Sequence, residues 1–262
     1  SMYERSTKRL GDDVLVKWLH AHKWDAAQKA RIVKVLSAYR IGTMTTDHNE
    51  QFTIFWYSDE LGNLCTGKMI RYKYNGHRMK KSDGAGNTTD WIHAWLYRSP
   101  VSTFYDRDKV DWKRTYFGMH LVDRCPNATI NIVESEKTAL VMSIAYGDAA
   151  HNIWLACGSK TNLTREKLRP LIDRNRYIVL YPDRDAVDAW RDTAQSIGYE
   201  RLTVNSDPVL KWWREGDGEK ADVADGVVRI INEATPPHTP IADDPAVQRL
   251  IKRLDLKEVN DK

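Results

Sequence analysis

Apolar positions in the first forty residues recur at helical spacing. Val14, Leu15, Trp18 and Leu19 make one stripe and Ile32, Val33, Leu36 and Tyr39 another, so two amphipathic helices joined near Trp24-Asp25 are predicted. The period then shortens to two. Phe52 to Tyr57 and Leu64 to Tyr72 read as strands joined by the turn Ser58-Asp59-Glu60-Leu61-Gly62-Asn63. In the second of these, Lys68, Ile70 and Tyr72 share one face, and Met69, Arg71 and Lys73 the other. Residues 80–89 are polar and glycine-containing, a loop pattern, and Asp90 is expected to cap a short helix carrying Trp91 and Trp95.

From Ile130 strands and helices alternate. Strands are expected at 130–133, 153–157, 177–181 and 201–204, and helices near 136–146, 164–174 and 186–197. Val187, Trp190, Ala194 and Ile197 mark the clearest helix, closed by Gly198. A further helix is predicted at 223–231. Beyond it lie a proline-rich linker, Thr235-Pro236-Pro237-His238-Thr239-Pro240, and a terminal helix with Val247, Leu250, Ile251 and Leu254 on one face. The expected organisation is N-terminal helices at 1–40, a basic α+β unit at 41–125, an α/β domain at 126–235 and the linker with its helix at 236–262. The fold class is thus α/β, a mainly parallel sheet with helices on both faces, preceded by a small α+β unit.

Composition sharpens this only in places. The formal charge of +4 and pI near 8.8 are mildly basic, so the distribution of charge matters more than its sum. Cys65, Cys125 and Cys157 are isolated and form neither a zinc ribbon nor a disulfide framework, which points to a reducing cytoplasm. The sequence has no apolar signal core and no run long enough to cross a bilayer, so no membrane partner is expected. Ser1 ahead of Met2 reads as a cloning remnant.

Two runs end in acid. Ile130-Asn131-Ile132-Val133 is followed by Glu134, and Tyr177-Ile178-Val179-Leu180-Tyr181 leads to Asp183-Arg184-Asp185. Open parallel sheets place functional residues at the carboxyl ends of their strands, so three carboxylates are expected at one sheet edge. Crowded carboxylates resist ionising, whereas a hard divalent cation turns that repulsion into binding. The bland alternative for Asp183 and Asp185 is a solvated loop or helix cap. Glu136 and Lys137 read as a solvated first helical turn, and Asp222 as either a metal ligand or a helix start.

Three segments together resemble the TOPRIM domain of bacterial primases, topoisomerases and certain nucleases: Ile132-Val133-Glu134-Ser135-Glu136-Lys137-Thr138-Ala139-Leu140, Tyr181-Pro182-Asp183-Arg184-Asp185-Ala186, and Asp222-Val223-Ala224-Asp225. The resemblance covers roughly residues 130–233 and makes 126–235 a TOPRIM catalytic domain. It implies Glu134 as general base or metal-linked carboxylate, and Asp183 and Asp185, with Asp222, as ligands of magnesium or manganese. Many members carry glycine after the glutamate and aspartate four residues beyond it, where this chain has Ser135 and Thr138. That departure weighs against topoisomerase-like or nuclease-like cleavage. The lead-in Tyr116-Phe117-Gly118-Met119-His120-Leu121 is similar to that of stand-alone primase cores of plasmids, phages and conjugative elements.

The segment from Gly67 to Lys81 has no acidic residue and contains Lys68, Arg71, Tyr72, Lys73, Tyr74, His77, Arg78, Lys80 and Lys81. Cations neutralise phosphates and aromatic faces stack on bases, so a single-stranded nucleic-acid track is expected, with a solvated basic hairpin as the alternative. Lys160, after the second strand of the α/β domain, is placed to contact nucleotide phosphate. Gly62 to Lys68 mimics a phosphate loop, but Met69 stands where Ser or Thr is required. His20 and His22 lack metal spacing. Lys211-Trp212-Trp213-Arg214 is a candidate interaction surface.

The function expected is metal-dependent nucleotidyl transfer on a single-stranded DNA template in replication of a mobile element. Nucleoside triphosphates are the substrates, and a replicative helicase or a separate zinc-ribbon module are the candidate partners. Two alternatives remain: a metal-dependent nuclease using the same carboxylates, and a non-catalytic nucleic-acid-binding replication or mobilisation factor.

Overall fold

The computed structural model describes residues 1–8, 10–98, 115–147 and 150–234. The linker, the terminal helix around Val247 to Leu254 and part of the expected basic unit lie outside the described residues.

The chain opens with α1 (Met2–Thr7), α2 (Val14–His20) and α3 (Ala26–Ala38). Asp13 caps α2 by accepting from the N–H groups of Leu15 and Val16, and Asp25 closes a capping box with Gln28 at the start of α3. Asp13 is fully buried and also accepts from the Thr53 hydroxyl at 2.9 and 3.0 Å, which ties α2 to the sheet behind it.

That first sheet is antiparallel, ordered β1 (Ile41–Thr45), β2 (Gln51–Ser58), β3 (Leu64–Ile70) and β4 (Thr89–Trp91). The two central strands match the expectation. β4 corrects it: Asp90 pairs across from Met69 inside a strand, and α4 (Ile92–Arg98) begins only afterwards, carrying Trp95. Past β3 the chain turns back through a bridge between Tyr72 and Arg78, with Lys73 N–H donating to the His77 carbonyl at 2.8 Å. Gly76 occupies the left-handed region at φ +77° with its α-carbon against the Trp18 indole, where a Cβ would collide. Glycine is required there on both counts.

The second sheet is parallel throughout, ordered β6 (Asn152–Ala156), β5 (Thr129–Val133), β7 (Ile178–Leu180) and β8 (Leu202–Val204). Its helices are α5 (Glu136–Tyr146), α6 (Arg165–Asp173), α7 (Val187–Ile197), α8 (Asp207–Trp212) and α9 (Val223–Glu233). Strand alternation divides the burial. Ile130, Ile132, Ile153 and Leu155 pack with Leu168 and Leu171 of α6 and Trp190 and Ile197 of α7. Val133, Trp154 and Ala156 pack on the opposite face with α3, α5 and α9. Helices on both faces are what the apolar runs predicted.

The two sheets share a core. Phe55, Tyr57, Ile70 and Tyr72 of the first unit belong to the same buried cluster as Val133, Trp154 and Ala156 of the second, and each large side chain buried there contributes about 1.5–3 kcal/mol. The Tyr39 hydroxyl donates to the Trp154 carbonyl at 2.6 Å and lies 2.8 Å from Ser143 Oγ. The lead-in segment is interior: Phe117 forms a bridge with Ala156 at the edge of β6, followed by a 3-10 helix from Met119 to Arg124. Arg176 anchors the same segment by donating to three carbonyls, Val122 at 3.0 Å, Cys125 at 2.6 Å and Ala128 at 2.7 Å.

Candidate active site

Glu134 immediately follows β5, and Asp183 stands just beyond β7, its hydrogen-bonded neighbour. Parallel pairing therefore brings the two carboxylates to one edge, where the charge of Glu134 acts on Asp183. Asp183 is pushed up to about 9, first by burial and then by the negative charges of Asp222, Glu134, Asp185 and Asp225. Glu134 is half-buried and also raised, by burial first and Asp185 next, while Arg78, Lys220 and Lys160 pull it back down.

The bland alternative for Asp183 and Asp185 is a solvated loop or a helix cap; Asp183 is half-buried and Asp185 exposed, and capping is the part the hydrogen bonds decide. Neither performs it: Asp183 precedes the 3-10 turn Arg184–Ala186 and Ala186 precedes α7, in both cases without a side-chain capping bond. Asp185 faces Lys160 Nζ at 3.4 Å, so Lys160 reaches the acidic edge. Asp222 behaves differently. It is the N-cap of α9, accepting from Asp225 N–H at 3.0 Å, and its other oxygen accepts from the Thr138 hydroxyl at 2.6 Å. It thus starts the helix, and after burial its charge is also the first to act on Asp183.

Among the described residues, no group of three or more His, Cys, Asp or Glu side chains is arranged as a set that could hold a metal ion. The donor chemistry of the edge nonetheless fits a hard cation, because Asp183 is destabilised as an anion first by burial and then by its acidic neighbours, and lacks a capping partner. Magnesium keeps several waters and takes only one or two carboxylates alongside substrate phosphates, so a closed protein cage is not required of the residues here.

The basic segment splits by strand face. Lys68 is 6% exposed and its ammonium pairs with Glu136 at 2.7 Å, and Tyr72 is buried in the shared core. Both are corrected as nucleic-acid contacts: the face they share with Ile70 points inward. Glu136 is corrected too, since the expected solvated turn residue is 0% exposed. Arg71 pairs with Glu50 at 2.6 Å and Lys73 with Asp83 at 2.8 Å. Tyr74, His77, Arg78, Lys80 and Lys81 remain exposed. In the segment Lys211-Trp212-Trp213-Arg214 the two cations are exposed and the tryptophans half-buried: Trp212 packs over Gly226, and the Arg184 guanidinium lies 4.2 Å from the Trp213 ring centre.

Tyr57, Glu136 and Lys220 were not anticipated at the site. For Tyr57 a signal existed, since alternation puts it on the same face of β2 as Phe55. Lys220 follows no pattern in the sequence.

A family model described as a domain of unknown function, DUF6371, matches residues 13–184. The chain belongs to the DUF6371 family. That match takes in Glu134 and Asp183 and stops short of Asp185 and Asp222. Comparison of this DUF6371 chain with curated proteins gave no match. Among solved structures it is similar to the primase fragment of the bacteriophage T7 primase-helicase protein, at 14% identity over 83% of this chain and 70% of that one, with a TM-score of 0.48. It is also similar to the RNA polymerase domain of Mycobacterium tuberculosis primase DnaG, at 14% identity over 95% and 87%, TM-score 0.46. A third is the E. coli primase catalytic core, at 13% identity over 100% of both chains, TM-score 0.40.

Proposed function

We propose that this DUF6371 chain is a primase-type nucleotidyltransferase with a TOPRIM-like catalytic domain, acting on a single-stranded DNA template. The observation that carries the reading is the edge where burial and the charges of Glu134 and Asp185 raise the pKa of Asp183, and burial and Asp185 raise that of Glu134, beside Arg78, Lys160 and Lys220. Acids that crowd without capping a helix, ringed by cations, suit a substrate that brings phosphates and a divalent ion.

In this reading a terminal 3′ hydroxyl attacks the α-phosphorus of a nucleoside triphosphate, the new phosphodiester forms, and pyrophosphate leaves. Glu134 takes the hydroxyl proton, a role its raised pKa favours by moving it towards the working pH. Asp183 and Asp185 are the residues to hold magnesium or manganese, which when bound supplies neutralisation of phosphate charge. Lys160 meets a phosphate at the same edge. Arg78, Lys80 and Lys81 line the exposed approach for template. A replicative helicase, a separate zinc-ribbon module and a place in mobile-element replication belong to the same proposal.

The test is incubation with circular single-stranded DNA, labelled ribonucleoside triphosphates and either metal. New oligonucleotides are expected from the natural sequence and none from Glu134→Gln, which keeps size while removing charge and base. Nicking without triphosphates, abolished by the same change, would replace this reading with the nuclease. Binding with neither activity would leave the non-catalytic factor.

A further inference from the structure

Glu136 is the first residue of α5, two positions past Glu134, and wholly buried at the seam between the two sheets. Its Oε1 accepts from Lys68 Nζ at 2.7 Å and from the Tyr57 hydroxyl at 2.5 Å, groups carried by β3 and β2. Its Oε2 is buried without a hydrogen-bond partner, and Arg78 Nη2 stands 3.7 Å from it. That distance is beyond hydrogen-bond reach. One oxygen is thus committed to the first unit, while the other directs its charge at a guanidinium whose side chain is 43% exposed. Burial opposes the charge on Arg78, but Tyr72, Glu136 and Glu134 more than compensate and leave its pKa raised.

Stability alone is a poor reason for such an arrangement. A buried ion pair replaced by apolar residues of similar size is often neutral in stability, and a simple Lys68–Glu136 pair has no need of a third charge. What the third charge gains is location without commitment. An arginine fixed in a bidentate salt bridge spends its donors on the carboxylate, whereas one held by charge at 3.7 Å keeps its fork for an incoming oxyanion.

The geometry points to Glu136 as a positioning residue that holds Arg78 at the carboxylate edge, with its N–H donors left for a phosphate of single-stranded nucleic acid. This rests on the nucleic-acid reading above. Glu136 itself touches no substrate. It acts through Arg78, which sits at the turn of the hairpin and within electrostatic range of Glu134.

The experiment measures binding of a fluorescein-labelled single-stranded oligodeoxynucleotide by anisotropy across a salt series, in EDTA, so that neither metal nor synthesis enters. Glu136→Gln alone leaves Lys68 buried and unpaired, so the informative variant is the neutral pair Lys68→Met with Glu136→Gln. The neutral pair is expected to melt near the unaltered protein. Its salt slope should be shallower by about 0.7, the loss of one phosphate contact, as in Arg78→Ala. Arg78→Ala added to the neutral pair should change nothing further. An unaltered slope in the neutral pair, or an equal loss from Arg78→Ala in both backgrounds, overturns the positioning role. So does a neutral pair that fails to fold, which would make Glu136 a stability residue. Absence of binding by the unaltered protein overturns the nucleic-acid reading and this role with it, a result distinct from binding that ignores the neutral pair.

Discussion

A single aspartate sets the most direct test at the residue scale. Asp183 has a folded pKa near 9 against an ordinary 3.8, so the folded state keeps a proton that the unfolded chain releases. For a raised carboxylate the stabilising contribution is complete below the unfolded value and is lost as pH climbs towards the folded one. Without metal, the melting midpoint should therefore fall between about pH 4 and pH 9, and Asp183→Asn should flatten that fall. Magnesium at pH 8 should raise the midpoint of the unaltered protein and leave Asp183→Asn where it was. Scanning calorimetry in EDTA and in magnesium checks both, and indistinguishable pH profiles would remove Asp183 from the site. Asp222 gives the contrasting case. As a cap it tolerates Asn with a change of a few tenths of a kcal/mol, whereas Asp222→Ala should cost about 1–2 kcal/mol in chemical denaturation. A large loss from Asp222→Asn would mean that its charge, and not its cap, is what matters.

At the scale of elements, the long periodic pieces were legible and the short ones were not. α7 begins and ends where Val187, Ile197 and Gly198 said it would, because apolar spacing and a left-handed glycine cap act together. β1 and β4 carry no such pattern; they are strands because β2 and β3 offer them open edges. The acidic edge was readable because strand ends and carboxylates coincide in the sequence. The fate of Lys68 was half readable: alternation put it with Ile70 and Tyr72, and the face was right, but only Glu136 arriving from α5 shows that this face is interior. Sequence separation hides such a partner. The hairpin from Tyr72 to Arg78 carries its own prediction. Gly76→Ala adds both a disfavoured backbone angle and a clash with Trp18, so it should destabilise by about 1–3 kcal/mol and weaken oligonucleotide binding in step. Unchanged thermal unfolding with unchanged binding would mean that the hairpin is free of α2.

For the whole molecule, the shared core is decisive. Residues from both sheets and from α3 meet in one buried cluster, so the units at 41–125 and 126–235 are expected to unfold together, with equal calorimetric and van't Hoff enthalpies. Two resolved transitions would contradict this. Tyr39→Phe removes the hydroxyl that reaches Trp154 and Ser143 and should lower the single midpoint, by about 1–2 kcal/mol of stability, without splitting it.

The anchoring of the lead-in segment by Arg176 also has a consequence in time. The carbonyls of Val122, Cys125 and Ala128 wait for a donor that is 54, 51 and 48 residues further along. At about 5–20 residues per second of synthesis, that is a delay of roughly two to eleven seconds on the ribosome. During it the nascent chain carries the Phe117 segment as an unfastened strap, and all of α6 must emerge before one guanidinium can buckle all three points at once.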